Sequence, residues 1–178
     1  MTKSLPLVEI RRQLFVGRPL AGWEWLLLLL CLLLFGAQAS LASLRKSAAF
    51  DEEYHLAAGY AYLKTADFRM SLSHPPLINA LAAVPLLADE EIMLPLDHPT
   101  WAAADYFAFS DQFVWWAGND PQEMLLQARL PIIGLGMLLV LGLFFWARLM
   151  IGSTAGWVVL LLATFDPNLL ANSHLVTT

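Results

Sequence analysis

A run of uncharged residues near the start sets the first constraint on this chain. From Trp25 to Leu44 no side chain carries a charge, and between Leu26 and Leu34 only Cys31 interrupts the leucines. At ~1.5 Å rise per residue, about 20 such residues cross a ~30 Å hydrocarbon layer. A second apolar run extends from Leu130 to Ala147 and is closed by Arg148. A third extends from Ala155 to Phe165 and meets Asp166-Pro167. None of the three alternates with period two, and in lipid only helices or closed barrels satisfy their own backbone groups. The chain is 58% hydrophobic and 14% charged, whereas soluble domains carry roughly 25% charged residues. The expected fold class is all-α: a polytopic helical membrane protein.

Charge sets the expected orientation. Lys3, Arg11, Arg12 and Arg18 precede the first run, against Glu9, and only Arg45 and Lys46 immediately follow it. Basic residues near span ends favour the cytoplasmic side, so the N-terminus is expected in the cytoplasm. Residues 45–128 carry Arg45, Lys46, Lys64 and Arg69 against twelve carboxylates. This acidic loop is then outside. The expected location is a cell membrane, most simply the bacterial inner membrane. A secretory signal peptide is the competing reading, with Ala37-Gln38-Ala39 as its cleavage site. The long basic lead and the apolar continuation to Leu44 argue against it. Both readings put the loop outside. The one cysteine, Cys31, sits inside the first run, so no disulfide framework exists.

The expected organisation follows from these runs. Residues 1–21 form a cytoplasmic, partly amphipathic lead and 22–44 the first span. Residues 45–127 form an extracytoplasmic loop with membrane-surface helices near 51–65, 75–88 and 101–116. The second span is 128–148; 155–178 holds the third span, broken at Pro167, and the start of a second outer loop. An odd, unfinished set of spans predicts that the chain continues beyond Thr178. Within the loop, Asp51 is placed to cap a helix whose first turn holds Glu52 and Glu53. Pro75 and Pro76 suit the first turn of the next helix, where no amide hydrogen is needed. Trp101 to Trp116 reads as an aromatic interfacial anchor rather than a binding cage.

The chemistry concentrates in Phe50-Asp51-Glu52-Glu53-Tyr54-His55, followed by Ser73-His74-Pro75-Pro76-Leu77. Carboxylates at the mouth of a span are costly beside lipid and are more often functional. The plain alternative is that they cap a helix and complement its dipole. No Walker motif, glycine-rich phosphate loop or dinucleotide fingerprint is present, so nucleotide sugars are not indicated. No outward basic patch suggests nucleic acid.

With Ala66-Asp67 between them, these two motifs resemble the first outer loop of protein O-mannosyltransferase-like enzymes of glycosyltransferase family 39. These are polytopic GT-C enzymes that take sugar from a lipid-phosphate donor. Arg129-Leu130-Pro131 with Gly134 resembles the start of the family's second span. Phe165-Asp166-Pro167-Asn168-Leu169-Leu170-Ala171-Asn172-Ser173-His174-Leu175-Val176-Thr177-Thr178 is similar to the second outer loop of bacterial members. Eukaryotic mannosyltransferases have a lysine where this chain has Asn79, so aminoarabinose transferase-like enzymes that modify lipid A are equally close.

The resemblance implies a GT-C-like fold and transfer from a polyprenyl-phosphate sugar to a hydroxyl acceptor on protein, lipid or glycan. By position in the motif, Asp51 is the general base and Glu52 orients acceptor or donor. His55 lies one helical turn from Asp51 and can share its face. His74 is expected near the carboxylates, Arg129 against the departing lipid phosphate, and Asp166 as a second acidic residue of the substrate site. One-step displacement with a single base predicts inversion at the anomeric carbon. No cofactor is required by the sequence; a divalent metal on Asp51, Glu52 and a distal aspartate is conceivable. Residue spacing alone shows no metal-ligand set. Two rivals stand beside the enzyme. One is a non-catalytic membrane subunit whose acidic, aromatic loop binds a partner. The other, a transporter fragment, is disfavoured because the carboxylates lie at one face rather than at mid-membrane.

Overall fold

The computed structural model describes residues 19–70 and 74–177. The expected lead, 1–21, therefore lies outside the described residues up to position 18, as do Ser73 and Thr178. The described residues form helices and turns, with no strand among them.

In chain order the helices are α1 (Gly22–Ser43), α2 (Glu52–Thr65), α3 (Pro76–Ala83), α4 (Pro99–Ala102), α5 (Tyr106–Asp111), α6 (Pro121–Met150), α7 (Ser153–Thr164) and α8 (Pro167–Asn172). A 3-10 turn, Pro85–Ala88, follows α3, and a π turn, Gln112–Trp116, extends α5. Two of these helices, α1 with 22 residues and α6 with 30, are long and apolar enough to cross a membrane.

The boundaries differ from expectation where local chemistry intervenes. The helix expected at 75–88 ends at Ala83, because Pro85 cannot donate a backbone hydrogen bond, and the chain tightens into the 3-10 turn. The single helix expected at 101–116 is three pieces. Ala104 takes a left-handed conformation (φ 52°), and Asp105 starts α5 afresh by accepting from the Ala108 amide. The expected second span, 128–148, lies inside α6, which begins seven residues earlier at Pro121. Asp120 accepts there from the amides of Gln122 and Glu123. Within the expected third span, α7 has only 12 residues. That is about 18 Å of helix, short of a hydrocarbon layer.

The chain divides into two compact units. The first comprises Met1–Gln38 and Leu135–Leu170. Its core joins Leu28 and Phe35 of α1, Val140 and Phe144 of α6, and Leu160 and Ala163 of α7. Small residues permit close approach: a Cβ on Gly156 would come within 2.9 Å of Arg148 Cβ. Outside this seam the apolar side chains stay uncovered, including Leu26, Leu29, Leu30, Leu33, Leu138 and Leu162.

The second unit comprises Ala39–Gly134 and Ala171–Thr178. Its core packs α2 against α3, α5 and the first turns of α6, with Leu56, Tyr60, Met70, Leu86, Phe109, Phe113 and Ala128 fully enclosed. Tyr60 stacks on Phe113 with ring centroids 5.4 Å apart. The candidate site lies in this unit.

Candidate functional site

The site is built on the first turn of α2. Asp51 is exposed and makes no side-chain capping bond to the helix it precedes. The next residue bonds backwards, to the turn before the helix. Glu52 Oε2 accepts from the Ala49 amide at 2.8 Å, while the Glu52 amide donates to the Ala49 carbonyl at 3.0 Å. These two bonds close a turn just before the helix and fix where α2 begins. The Asp51 carboxylate stays open to other partners, and the Tyr54 phenol lies beside it, one turn on. Burial raises the Tyr54 phenol above its ordinary value, and the adjoining Asp51 charge adds to that. Tyr54 therefore stays a donor.

Glu52 points inward and is 0% exposed. Its partner is Arg129 of α6, 1% exposed, in a bidentate pair: Nε to Oε1 at 2.9 Å and Nη2 to Oε2 at 2.6 Å. Arg129 also donates to the carbonyls of Ser43, Lys46 and Ser47 at 3.0, 3.2 and 3.1 Å. All five guanidinium N–H donors are thereby used. Glu52 Oε1 accepts a further bond from the Val176 amide at 2.9 Å. Burial alone would raise the Glu52 carboxyl; the bonds from Arg129, Ala49 and Val176 outweigh it and hold the group below its ordinary value. One ion pair thus ties together the end of α1, the start of α2, α6 and the C-terminal segment.

This geometry changes the parts given to two expected site residues. Arg129 was expected to face a departing phosphate, but it has no donor left for one. Glu52 was expected to orient substrate, or to share a metal with Asp51, but both its oxygens are occupied by protein donors. Among the described residues no three His, Cys, Asp or Glu side chains gather closely enough to hold a metal ion.

Beside Asp51 lies a histidine pair. His55 is 1% exposed, and its Nδ1 lies 3.0 Å from Asn79 Oδ1 on α3. Asn79 is fully buried, and this contact assigns the proton to Nδ1, because a carbonyl oxygen accepts. Nε2 then carries the lone pair. The His74 ring packs edge-on to His55 with centroids 5.0 Å apart. Burial pushes His55 below the ordinary imidazole value, and the neighbouring His74 pushes it further. Glu53 turns elsewhere, toward Trp115 and Asp111, and burial with the Asp111 charge raises its carboxyl.

An aromatic rim surrounds these groups. Tyr54 meets Tyr106 and Phe107 edge-on at 5.9 and 5.7 Å, and Phe50 lies 6.1 Å from Phe107. Phe50, Tyr106 and Phe107 are exposed. These α5 rings were expected only as part of a membrane anchor. Their sequence signal was the adjacent pair Tyr106-Phe107 behind the cap Asp105. Asp166 lies in the other compact unit, where its carboxylate accepts from the Leu169 amide at 2.8 Å and caps α8. Arg69, also in the loop, is exposed, pairs with Asp67 at 2.6 Å and lies over the Trp101 ring.

No family model matches the chain, and no curated protein or solved structure does either.

Proposed function

We propose that this chain belongs to an integral membrane glycosyltransferase that moves a sugar from a polyprenyl-phosphate donor to a hydroxyl acceptor on the outer face. The observation that carries the reading is the state of Asp51. Its carboxylate is exposed, takes no part in capping α2, and sits on a helix turn fixed from below by the Glu52–Arg129 pair. The motif resemblance supplies the reaction class. The uncovered leucines of α1 and α6 support the membrane setting, because a soluble core helix of this length would bury them.

In the proposed step Asp51 accepts the proton of the acceptor hydroxyl as its oxygen bonds to the anomeric carbon. The bond from that carbon to the phosphate oxygen breaks, and the phosphate leaves on its lipid. Attack opposite the leaving group inverts the centre. Tyr54, beside the carboxylate, can steer it by donating its phenol proton. His55, enclosed and held on Asn79, backs the Tyr54 ring at 4.5 Å between centroids and so supports the Asp51 face. Phe50, Tyr106 and Phe107 offer apolar faces for a sugar ring.

The test is Asp51→Asn in the full-length enzyme. Loss of a general base costs about 10²–10⁴-fold in rate. Transfer of labelled sugar from polyprenyl phosphate should fall by that factor while folding and insertion stay normal. Wild-type rates would remove Asp51 as the base. The exposure of Phe50, 80%, with Tyr106 and Phe107 also exposed, favours a second reading, in which the rim docks a protein partner. In that case Phe50→Ala weakens association and Asp51→Asn changes nothing.

A further inference from the structure

A cleft of about 510 Å³ opens in the second unit between the end of α1 and the start of α6. Its walls include Arg45, Lys46, Trp115, Gln122 and Leu125. A second hollow of about 240 Å³, mostly apolar but bordered by Glu123 and Gln127, shares Ser43, Leu44 and Leu126 with it and continues to Leu130 and Ile133. We propose that this pair of cavities binds one anionic glycerophospholipid, with the phosphate beside Arg45 and Lys46 and an acyl chain along Leu44, Leu126 and Leu130.

Three observations converge on that occupant. First, Arg45 and Lys46 are exposed neighbours, and the carboxylates on the two walls have protein donors: Asp120 accepts from the Gln122 and Glu123 amides, and Glu123 from Gln127 Nε2. Two cations over an apolar floor complement a phosphate with a hydrocarbon tail. Second, both cavities lie where α1 ends and α6 begins, and those ends sit at headgroup depth if both helices span the bilayer. The inference rests on that spanning reading. Third, basic residues at the outer end of a span work against the charge bias that orients it. Holding an anionic headgroup gives them a role there.

The occupant differs from the sugar donor. Asp51, Tyr54, His55 and His74 do not border either cavity. Arg129 lines the cleft but is saturated, so it supports the wall formed by Ser43, Lys46 and Ser47 through their carbonyls. A bound lipid would therefore brace the same loop that Arg129 holds, without entering the chemistry.

Thermal unfolding of the protein in neutral detergent, titrated with phosphatidylglycerol, tests the assignment. Phosphatidylglycerol should raise Tm in a saturable way, and phosphatidylcholine and soluble glycerol phosphate should not. Arg45→Gln with Lys46→Gln should weaken the apparent affinity by roughly thirtyfold, as two surface cations near a lipid phosphate would. Leu126→Trp, which fills the apolar hollow and keeps both charges, should abolish saturation. Equal shifts with phosphatidylcholine, or with glycerol phosphate, overturn the proposal. So does an unchanged response in both variants. If the double variant fails to fold, Leu126→Trp alone decides. The readout is binding, so an inactive or active Asp51→Asn enzyme leaves this result untouched.

Discussion

Glu52 and Arg129 stand 77 positions apart, and both are enclosed. A buried ion pair is expensive to desolvate, and its worth shows when one member is removed. Arg129→Met leaves a carboxylate with two backbone donors and no cation, and frees the carbonyls of Ser43, Lys46 and Ser47. Glu52→Gln leaves a buried guanidinium facing a neutral amide. Each should cost about 3–5 kcal/mol. The double variant should cost less than their sum, by roughly 1–3 kcal/mol of coupling. Thermal unfolding in micelles measures all three; strict additivity would mean that the pair does not act as a unit. Acid adds a second test. His55 is depressed below 6.5, so the unfolded chain takes its proton first and stability falls as pH drops below 6.5. Glu52 is depressed below 4.5, so its contribution is present above 4.5 and is lost as pH falls through its lower folded value. Glu53, raised by burial, acts in the opposite sense just above 4.5. Melting temperature against pH should therefore decline in two stages, and His55→Gln should remove the first. A single stage in the wild type would contradict the buried neutral histidine.

The α2–α3 crossing is tighter than hydrophobic packing alone requires. A Cβ on Gly59 would lie 1.9 Å from the Asn79 carbonyl oxygen, so the two backbones meet at the residue that holds His55. Gly59→Ala gains about 1 kcal/mol of helix propensity. Against that it must separate two helices, and overpacking costs about 1–3 kcal/mol or more. The expected outcome is a net drop in Tm with loss of the His55–Asn79 bond. Gly142→Ala, with nothing within 4 Å, should be neutral or stabilising. A stable Gly59→Ala protein would mean that the crossing can relax. At this scale the sequence was readable wherever signals were local. The first-turn acids announced α2, although Asp51 makes no capping bond there, and the prolines announced α3. The start of α6 was readable too, in Asp120-Pro121 with Glu123, but counting apolar residues hides it because Gln122, Glu123 and Gln127 are polar. The Glu52–Arg129 pair was not readable. Each residue's own neighbourhood offers a simpler role, a helix-end acid or a snorkelling arginine, and only tertiary contact selects between them.

For the molecule as a whole, the proposals share one premise, that α1 and α6 cross a bilayer with the Glu52–Arg129 region outside. Length and composition make both helices capable of it. The distribution of exposed side chains adds a physical reason: Leu26, Leu30, Leu33 and Leu138 would otherwise face water. The two loops at the ends of α6 separate the possible orientations. Glu90 lies in the acidic loop before α6, and Thr154 lies at the start of α7 just after it; both are exposed. With Cys31→Ser removing the one native thiol, Glu90→Cys and Thr154→Cys can be probed separately in intact cells. A membrane-impermeant maleimide should label Glu90→Cys without permeabilisation and Thr154→Cys only after it. Reversed labelling would put Asp51 on the cytoplasmic side, away from an outer-leaflet donor, and labelling of both in intact cells would mean that α6 does not cross. Either pattern removes the setting in which an exposed carboxylate meets a lipid-linked sugar, whatever the geometry around Asp51.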